Sequence, residues 1–322
     1  MSEYELDTPV VFSIFNRPAH TRTVFNIIAA ARPKKLFIIA DGPRPGHPTD
    51  AERCRLARAA VEKVTWPCDV RMDAADANMG CRDRMLSGSD WVFGQVEEAI
   101  FLEDDTVPHP DFFRFCEELL RRYRDDRRVM SITGLCLRPL SVSAYSYGFS
   151  TLACGWGRAC WRRSWEAFDP TMSLWPEVRD NGLLSQVFPD RAQAAYWHQI
   201  MESTYRGRFD SWGYPFILSC WLLGGLTAMP GRNLVRNIGF GADSTHTKLG
   251  GGLDKLTLEG IDFPLRHPPI VTRDYAYDEY AFRRFIRRKS LPSRLVNKAR
   301  RILDERRFQG GRAELLHGRS LF

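Results

Sequence analysis

Three short apolar runs, each ending abruptly at polar residues, constrain this chain most. Val10-Val11-Phe12-Ser13-Ile14-Phe15 stops at Asn16-Arg17-Pro18, and Leu36-Phe37-Ile38-Ile39-Ala40 stops at Asp41-Gly42-Pro43. Ala99-Ile100-Phe101-Leu102 stops at three consecutive acids, Glu103, Asp104 and Asp105. Apolar runs of this length without alternation read as strands covered on both faces. Helices are expected between them. One covers residues 19–31, with Val24, Ile27 and Ile28 at helical spacing, and another covers residues 49–64, capped by Thr49 or Asp50. A weaker strand is expected over Cys68–Met72, followed by a loop from Asn78 that enters a further helix. Beyond the acids come an amphipathic helix over Asp111–Tyr123 and a strand over Val129–Gly134. Such alternation specifies an α/β fold: an open, mostly parallel sheet with helices on both faces.

The fold class gives the strand ends a meaning. In open α/β sheets, ligands bind at the carboxyl ends of the strands. Arg17, Asp41, Asn78, Asp104 and Asp105 are therefore expected on one rim. Three adjacent carboxylates repel one another and call for a cation. Mg²⁺ and similar hard ions take one or two carboxylates together with substrate phosphates. A metal site for a phosphorylated substrate is one reading of the triplet, and a solvated acidic turn capping the helix near Pro110 is the other. No Gly-x-Gly-x-x-Gly follows the first strand and no Walker A loop occurs, which disfavours those nucleotide sites.

At 322 residues, 44% hydrophobic and 26% charged, the chain has length for one large domain or two ordinary ones. Its net charge of +7 is unevenly placed. Between Ala281 and Arg312, twelve Lys and Arg face only Asp304 and Glu305, a local excess of +10 that leaves the remainder near −3. The body is thus no nucleic-acid binder, and the tail carries a separate electrostatic role. The eight cysteines form no Cys-x-x-Cys pair and suit buried free thiols in a reducing compartment. The acidic N-terminus is no secretory signal and the apolar stretches are too short to span a bilayer, so a cytoplasmic protein is expected.

From Tyr145 to Trp221 aromatic residues crowd the chain, among them Trp156, Trp161, Trp165, Trp175, Trp197, Trp212 and Trp221. They serve either as a ligand platform or as cover for the core. Asn237-Ile238-Gly239-Phe240-Gly241 leads into Ala242-Asp243-Ser244-Thr245-His246-Thr247, a glycine- and hydroxyl-rich loop suited to phosphate oxygens or a metal.

Several of these stretches together carry a family resemblance. They are Phe15-Asn16-Arg17-Pro18, Ala40-Asp41-Gly42-Pro43, Asn78-Met79-Gly80-Cys81-Arg82, Leu102-Glu103-Asp104-Asp105, Gly155-Trp156-Gly157-Arg158-Ala159-Cys160-Trp161 and Asn237-Ile238-Gly239-Phe240-Gly241. In this order the chain resembles GT-A-fold glycosyltransferases, and within them a bacterial hemolytic-protein-like group related to the N-acetylglucosaminyltransferase I family. The resemblance implies a nucleotide-sugar donor, with UDP as the nucleotide, and Mn²⁺ or Mg²⁺. It implies donor contacts from Asn16, Arg17, Asp41, Asn78, Gly80, Arg82, Glu103, Asp104, Trp156 and His246, and metal ligation by Asp105 and His246. It further implies an inverting transfer to a saccharide or lipid-linked acceptor, as in polysaccharide biosynthesis.

One position departs from the pattern. In Phe209-Asp210-Ser211-Trp212-Gly213-Tyr214, Gly213 stands where relatives carry the acid that resembles a catalytic base, which leaves Asp210 as the nearest carboxylate. The resemblance implies a GT-A-like domain over residues 1–270, with a nucleotide-binding half to residue 135 and an aromatic-rich acceptor half beyond it. Residues 271–322 then form a basic helical tail. Its cations alternate with apolar residues, as in helices that bind anionic membranes or pack on a protein body. Two other readings are a nucleotidyltransferase, for which a Lys- and Gly-rich loop after the first strand is missing, and a non-catalytic membrane-interacting protein.

Overall fold

A computed structural model describes residues 5–138, 144–152, 156–240 and 253–286. The strands are β1 (Val10–Ile14), β2 (Lys35–Ala40), β3 (Asp69–Ala74), β4 (Glu98–Glu103), β5 (Thr106–Pro108), β6 (Val129–Thr133), β7 (Tyr147–Ser150), β8 (Arg158–Trp161), β9 (Leu226–Pro230) and β10 (Val235–Asn237). The first five helices are α1 (Pro18–Ala31), α2 (Asp50–Ala59), α3 (Cys81–Phe93), α4 (Asp111–Arg122) and α5 (Arg162–Glu166). They are followed by α6 (Trp175–Asp180), α7 (Leu184–Val187), α8 (Arg191–Tyr205), α9 (Gly213–Leu222) and α10 (Tyr275–Ala281).

Eight strands form one sheet in the order β3-β2-β1-β4-β8-β6-β9-β7. β1 to β4 are mutually parallel, β8 runs against both β4 and β6, β9 parallels β6, and β7 opposes β9. The sheet is therefore mostly parallel, as the alternation of elements requires. The apolar runs of β1, β2 and β4 are interior to the sheet and buried on both faces, whereas β3 is an exposed edge. Val11, Phe37, Ile39, Phe101 and Cys160 pack on one face with Met85 and Val92 of α3 and Phe216 and Cys220 of α9. On the other face α4 buries Phe112, Phe113, Phe115, Leu119 and Leu120, and Trp161 of β8 donates to the Leu120 carbonyl at 3.2 Å. Arg121 and Arg122 in the last turn of α4 suit the negative end of its dipole.

The chain order reverses between β1 and β4. From β1 the chain steps outward through β2 and β3, then returns to place β4 on the other side of β1. Such a switch point opens a crevice beyond the strand ends.

Four local expectations are adjusted. α2 stops at Ala59, short of residue 64, and neither Thr49 nor Asp50 caps it with its side chain. Asp50 turns inward instead, to Arg44 and Asn16. The acidic triplet does not cap α4, whose N-terminus has no side-chain cap. Among the cysteines, Cys81 is exposed and Cys68 half-buried, while Cys54, Cys116, Cys136, Cys160 and Cys220 are buried and free. The tryptophans split in function: Trp161, Trp165, Trp175, Trp197, Trp212 and Trp221 are core residues, and Trp156 is half-buried.

The first compact unit is Met1–Phe282. Asp278 of α10 is buried within it, bonded to Ser150, to Thr151 Oγ1 at 2.7 Å and to Arg273 at 2.7 Å, so residues 273–282 belong to the body. Arg283–Phe322 form a second unit. The basic stretch from residue 287 onward lies outside the described residues. No helix among the described residues is long and apolar enough to cross a membrane.

Candidate functional site

A cleft of about 270 Å³ opens at the switch point. Its walls come from the ends of β1, β2 and β4, from the segment entering α3, and from Trp156, Asn237, Gly239 and Phe240. Arg17, Asp41, Asn78, Gly80, Glu103, Asp104, Asp105 and Trp156 all line it. The polar strand ends thus share one rim.

The acids sit where β4 ends and the chain turns into β5. β5 pairs antiparallel with β10, Asn237 opposite Thr106, which lays the segment after β10 over the triplet. The Ile238 amide donates to the Asp105 carbonyl at 2.8 Å. Asn237 Nδ2 donates to Asp105 Oδ1 at 3.0 Å, and Arg17 Nη1 donates to Asp105 Oδ2 at 2.9 Å. The same guanidinium lies 3.8 Å from Asp104 Oδ1, while Asp104 Oδ2 accepts from the Phe15 amide at 3.3 Å. The Glu103 carboxylate makes no hydrogen bond or ion pair among the described residues. Gly239 is required by close approach: a Cβ there would stand 2.2 Å from Asp105 Oδ2.

Crowding perturbs the acids. Burial, then the charge of Asp105, raises the Asp104 carboxyl to about 7, against the opposing pull of Arg17 and the Phe15 amide. Burial, then Asp105 and Asp104, raises Glu103 as well, with Arg158 and Arg17 opposing. Perturbation by burial and like charge within a cleft is characteristic of functional sites.

Asp41 staples the cleft wall. Its Oδ1 accepts from the Gly42 amide at 2.8 Å and the Met79 amide at 2.9 Å, and its Oδ2 accepts from Asn78 Nδ2 at 2.8 Å. Asp41 and Asn78 therefore bind each other and fix the turn into α3. Gly80, the residue before α3, has φ +82°, a left-handed conformation that favours glycine. Cys81 is solvent-accessible yet walled in. Its thiol is pushed up to about 12 by desolvation, then by Glu103, Asp210, Asp105 and Asp41, so four acids converge on it.

Asn16 and Arg82 do not line this cleft. Asn16 is buried and donates to Asp50 Oδ1 at 2.8 Å, which anchors the start of α2. Arg82 reaches the Pro170 carbonyl at 3.3 Å and lines a neighbouring hollow of about 170 Å³ with Thr171, Tyr205, Phe209 and Asp210. Asp210 is exposed, and its carboxylate has no partner among the described residues. It stands at the divide between the two hollows, with Oδ2 3.9 Å from the position of a Cβ on Gly80. His246 and Gly155 lie outside the described residues.

Sequence reasoning passed over Phe15, Arg44, Cys81, Asn237 and Phe240 as site residues. Arg44 binds Asp50 through two guanidinium nitrogens, Nε at 2.6 Å and Nη2 at 3.1 Å, and its guanidinium lies 5.5 Å from the Phe15 ring centroid. This makes a flat, cationic wall at one side of the cleft. Trp156 and Phe240 meet edge to face at 5.5 Å and form an aromatic corner. Phe15, Cys81, Asn237 and Phe240 lie inside the stretches that carry the family resemblance, but nothing in a linear pattern says which member of a stretch faces a cavity.

The donor chemistry of the triplet, carboxylate oxygens beside a space for phosphates, suits a hard divalent ion. A ready-made cage is not present: no group of three or more His, Cys, Asp or Glu side chains is arranged for a metal among the described residues. Arg17 and Asn237 take one oxygen each of Asp105. The donor set fits a cation held by a single carboxylate and substrate oxygens, at a carboxylate that Arg17 also contacts.

No protein-family model and no curated protein matches the chain. Among solved structures it is similar to a UDP-glucose pyrophosphorylase complexed with UDP-glucose, at 10% identity and TM-score 0.29, over 51% of this chain and 81% of that one. It is also similar to an S. aureus TarS fragment, residues 1–349, at 8% identity and TM-score 0.37, over 71% of this chain and 59% of that one.

Proposed function

We propose that the cleft binds a nucleoside-diphosphate sugar and that the chain transfers the sugar to an acceptor hydroxyl, as a GT-A-type glycosyltransferase. The observation that carries this reading is the meeting, at the sheet's switch point, of an arginine-backed aromatic wall, the ion-paired Arg17 and a crowded acidic turn in one cleft.

Phe15 and Arg44 offer a face on which a base stacks. Arg17, poised between Asp104 and Asp105, is the group to meet diphosphate oxygens, a charge-assisted contact. Asp105 would hold Mn²⁺ or Mg²⁺ together with the phosphates, and His246 is the second protein ligand proposed. When bound, such an ion acts as a Lewis acid toward the leaving diphosphate. Trp156 and Phe240 shape the sugar end. Asp210, accessible and unpartnered, takes the acceptor's proton in a direct, inverting displacement. The neighbouring hollow, with Tyr205, Phe209 and Thr171 beside Asp210, is where a saccharide or lipid-linked acceptor approaches. The basic tail is proposed to hold the protein near an anionic membrane surface.

Calorimetry with UDP, GDP, ADP and inorganic pyrophosphate, each with and without Mn²⁺, tests the reading. It expects one nucleoside diphosphate to bind more tightly than pyrophosphate, and release of that nucleotide from a matching sugar donor. Asp210→Asn should leave nucleotide binding intact and slow transfer by roughly 10²–10⁴-fold. Binding of no nucleotide, with or without Mn²⁺, rejects the proposal.

A further inference from the structure

Arg158 of β8 is a cation in an unusual place. It is 2% exposed, and none of Nε, Nη1 and Nη2 meets a hydrogen-bond acceptor among the described residues. Its guanidinium lies among four rings, with centroids at 4.6 Å for Phe101, 4.6 Å for Trp212, 5.2 Å for Phe216 and 5.5 Å for Trp165. Ring faces attract a cation, but more weakly than the water it has lost. A cage alone does not account for a charge kept here.

The β4–β8 register brings up an opposite charge. Phe101 pairs directly with Arg158, so the two side chains share a face of the sheet. Glu103, two residues further along β4, returns to that face. Residues in this diagonal relation are within reach of one another when a side chain is long. Glu103 is also the member of the triplet without a partner among the described residues, since Arg17 serves Asp104 and Asp105. The two unpaired groups of opposite sign therefore lie on one face, one facing the cleft and one beneath it.

We propose that Arg158 is a positioning residue for Glu103: an internal counter-cation, held under the cleft floor by its aromatic cage, that keeps the Glu103 carboxylate in place. The acidic turn then has two cations of different kinds. Arg17, at the cleft wall, exchanges its partners when a ligand arrives. Arg158 has no room to leave. Two of its cage rings, Trp212 and Phe216, lie just after Asp210, so the same cation links the cleft floor to the segment that carries Asp210. The pairing holds whatever the cleft binds, and only its effect on ligands rests on the nucleotide reading.

A double-mutant cycle tests it on the ligand-free full chain. Melting temperatures are compared at one fixed pH for the wild type, Arg158→Met, Glu103→Gln and the double variant. Arg158→Met should lower Tm by about 2–4 °C more with Glu103 present than with Gln at that position. Arg158→Lys, which keeps the charge, should recover most of that difference. Equal shifts in both backgrounds overturn the proposal and make Arg158 a packing residue. Should Arg158→Met fail to fold, its rescue by Glu103→Gln supports the pairing and lack of rescue overturns it.

UDP binding with Mn²⁺ gives a second readout. Arg158→Met should weaken it by about 10-fold with Glu103 present and by less than about 2-fold with Gln there. If the wild type binds no nucleotide, the nucleotide reading fails while the melting comparison still decides the pairing.

Discussion

Arg17, the residue before α1, closes an ion pair of 2.9 Å with Asp105, just past the end of β4, and thereby fills with its own guanidinium the place where the acidic turn calls for a cation. Both residues line the cleft that also holds Asp41, so the pair belongs to the rim and not to the interior. An arginine there competes with a metal and attracts a phosphate. Arg17→Met should therefore raise affinity for Mn²⁺ alone and lower affinity for a nucleoside diphosphate. Charge-assisted hydrogen bonds are worth about 1.5–3 kcal/mol, which makes the nucleotide loss roughly 10- to 100-fold. Calorimetric titration of each ligand separately reads both effects, and a metal affinity unchanged by the substitution would contradict the competition.

Gly239 keeps Asp105 where it is. A side chain at residue 239 drives into the Asp105 carboxylate, which must leave Arg17 and Asn237 to make room. Gly239→Ala should weaken nucleotide and metal binding together by about 10-fold or more, with a modest fall in Tm of about 1–3 °C. A variant that binds both ligands normally would show that the carboxylate has no part in the site.

The Asp41 staple carries stability. Asp41→Ala leaves the Met79 and Gly42 amides and the Asn78 side chain without their acceptor. Stranding such groups costs about 2–3 kcal/mol, or roughly 5–10 °C in Tm. Asp41→Asn should recover part of this. Differential scanning calorimetry of the three proteins checks the order.

The acidic turn predicts a pH dependence of definite sign. The carboxyls of Asp104 and Glu103 are raised in the folded chain, principally by burial and by neighbouring negative charge. A carboxyl raised on folding favours the folded state below its unfolded value, near pH 4, and loses that contribution as pH rises through its folded value. The ligand-free protein should therefore lose stability between about pH 5 and 8. Glu103→Gln should flatten that decline, raising Tm at the alkaline end and changing little at the acidic end. Melting curves at closely spaced pH values test this, and a parallel decline in the variant would place the effect elsewhere.

The sequence by itself determined the sheet's centre and the address of the cleft. The runs over residues 10–15, 36–40 and 99–102 had to be interior strands, because apolar runs without alternation leave no face for water. Their shared direction then put Arg17, Asp41 and the triplet on one rim. Only the tertiary structure decided what each of these groups touches. Asn16 and Asp41 proved to be spent on Asp50 and on the turn before α3, since a hydrogen bond between residues 34 or 37 positions apart leaves no trace in local pattern. Arg44 and Phe15 became one wall by packing, as did Trp156 and Phe240. Arg158 reads in the chain like an ordinary surface cation, and pairing of β8 with β4 buried it. Periodicity reports which side of a strand is apolar, whereas the partner of a charge depends on distances that exist only once the chain has closed on itself.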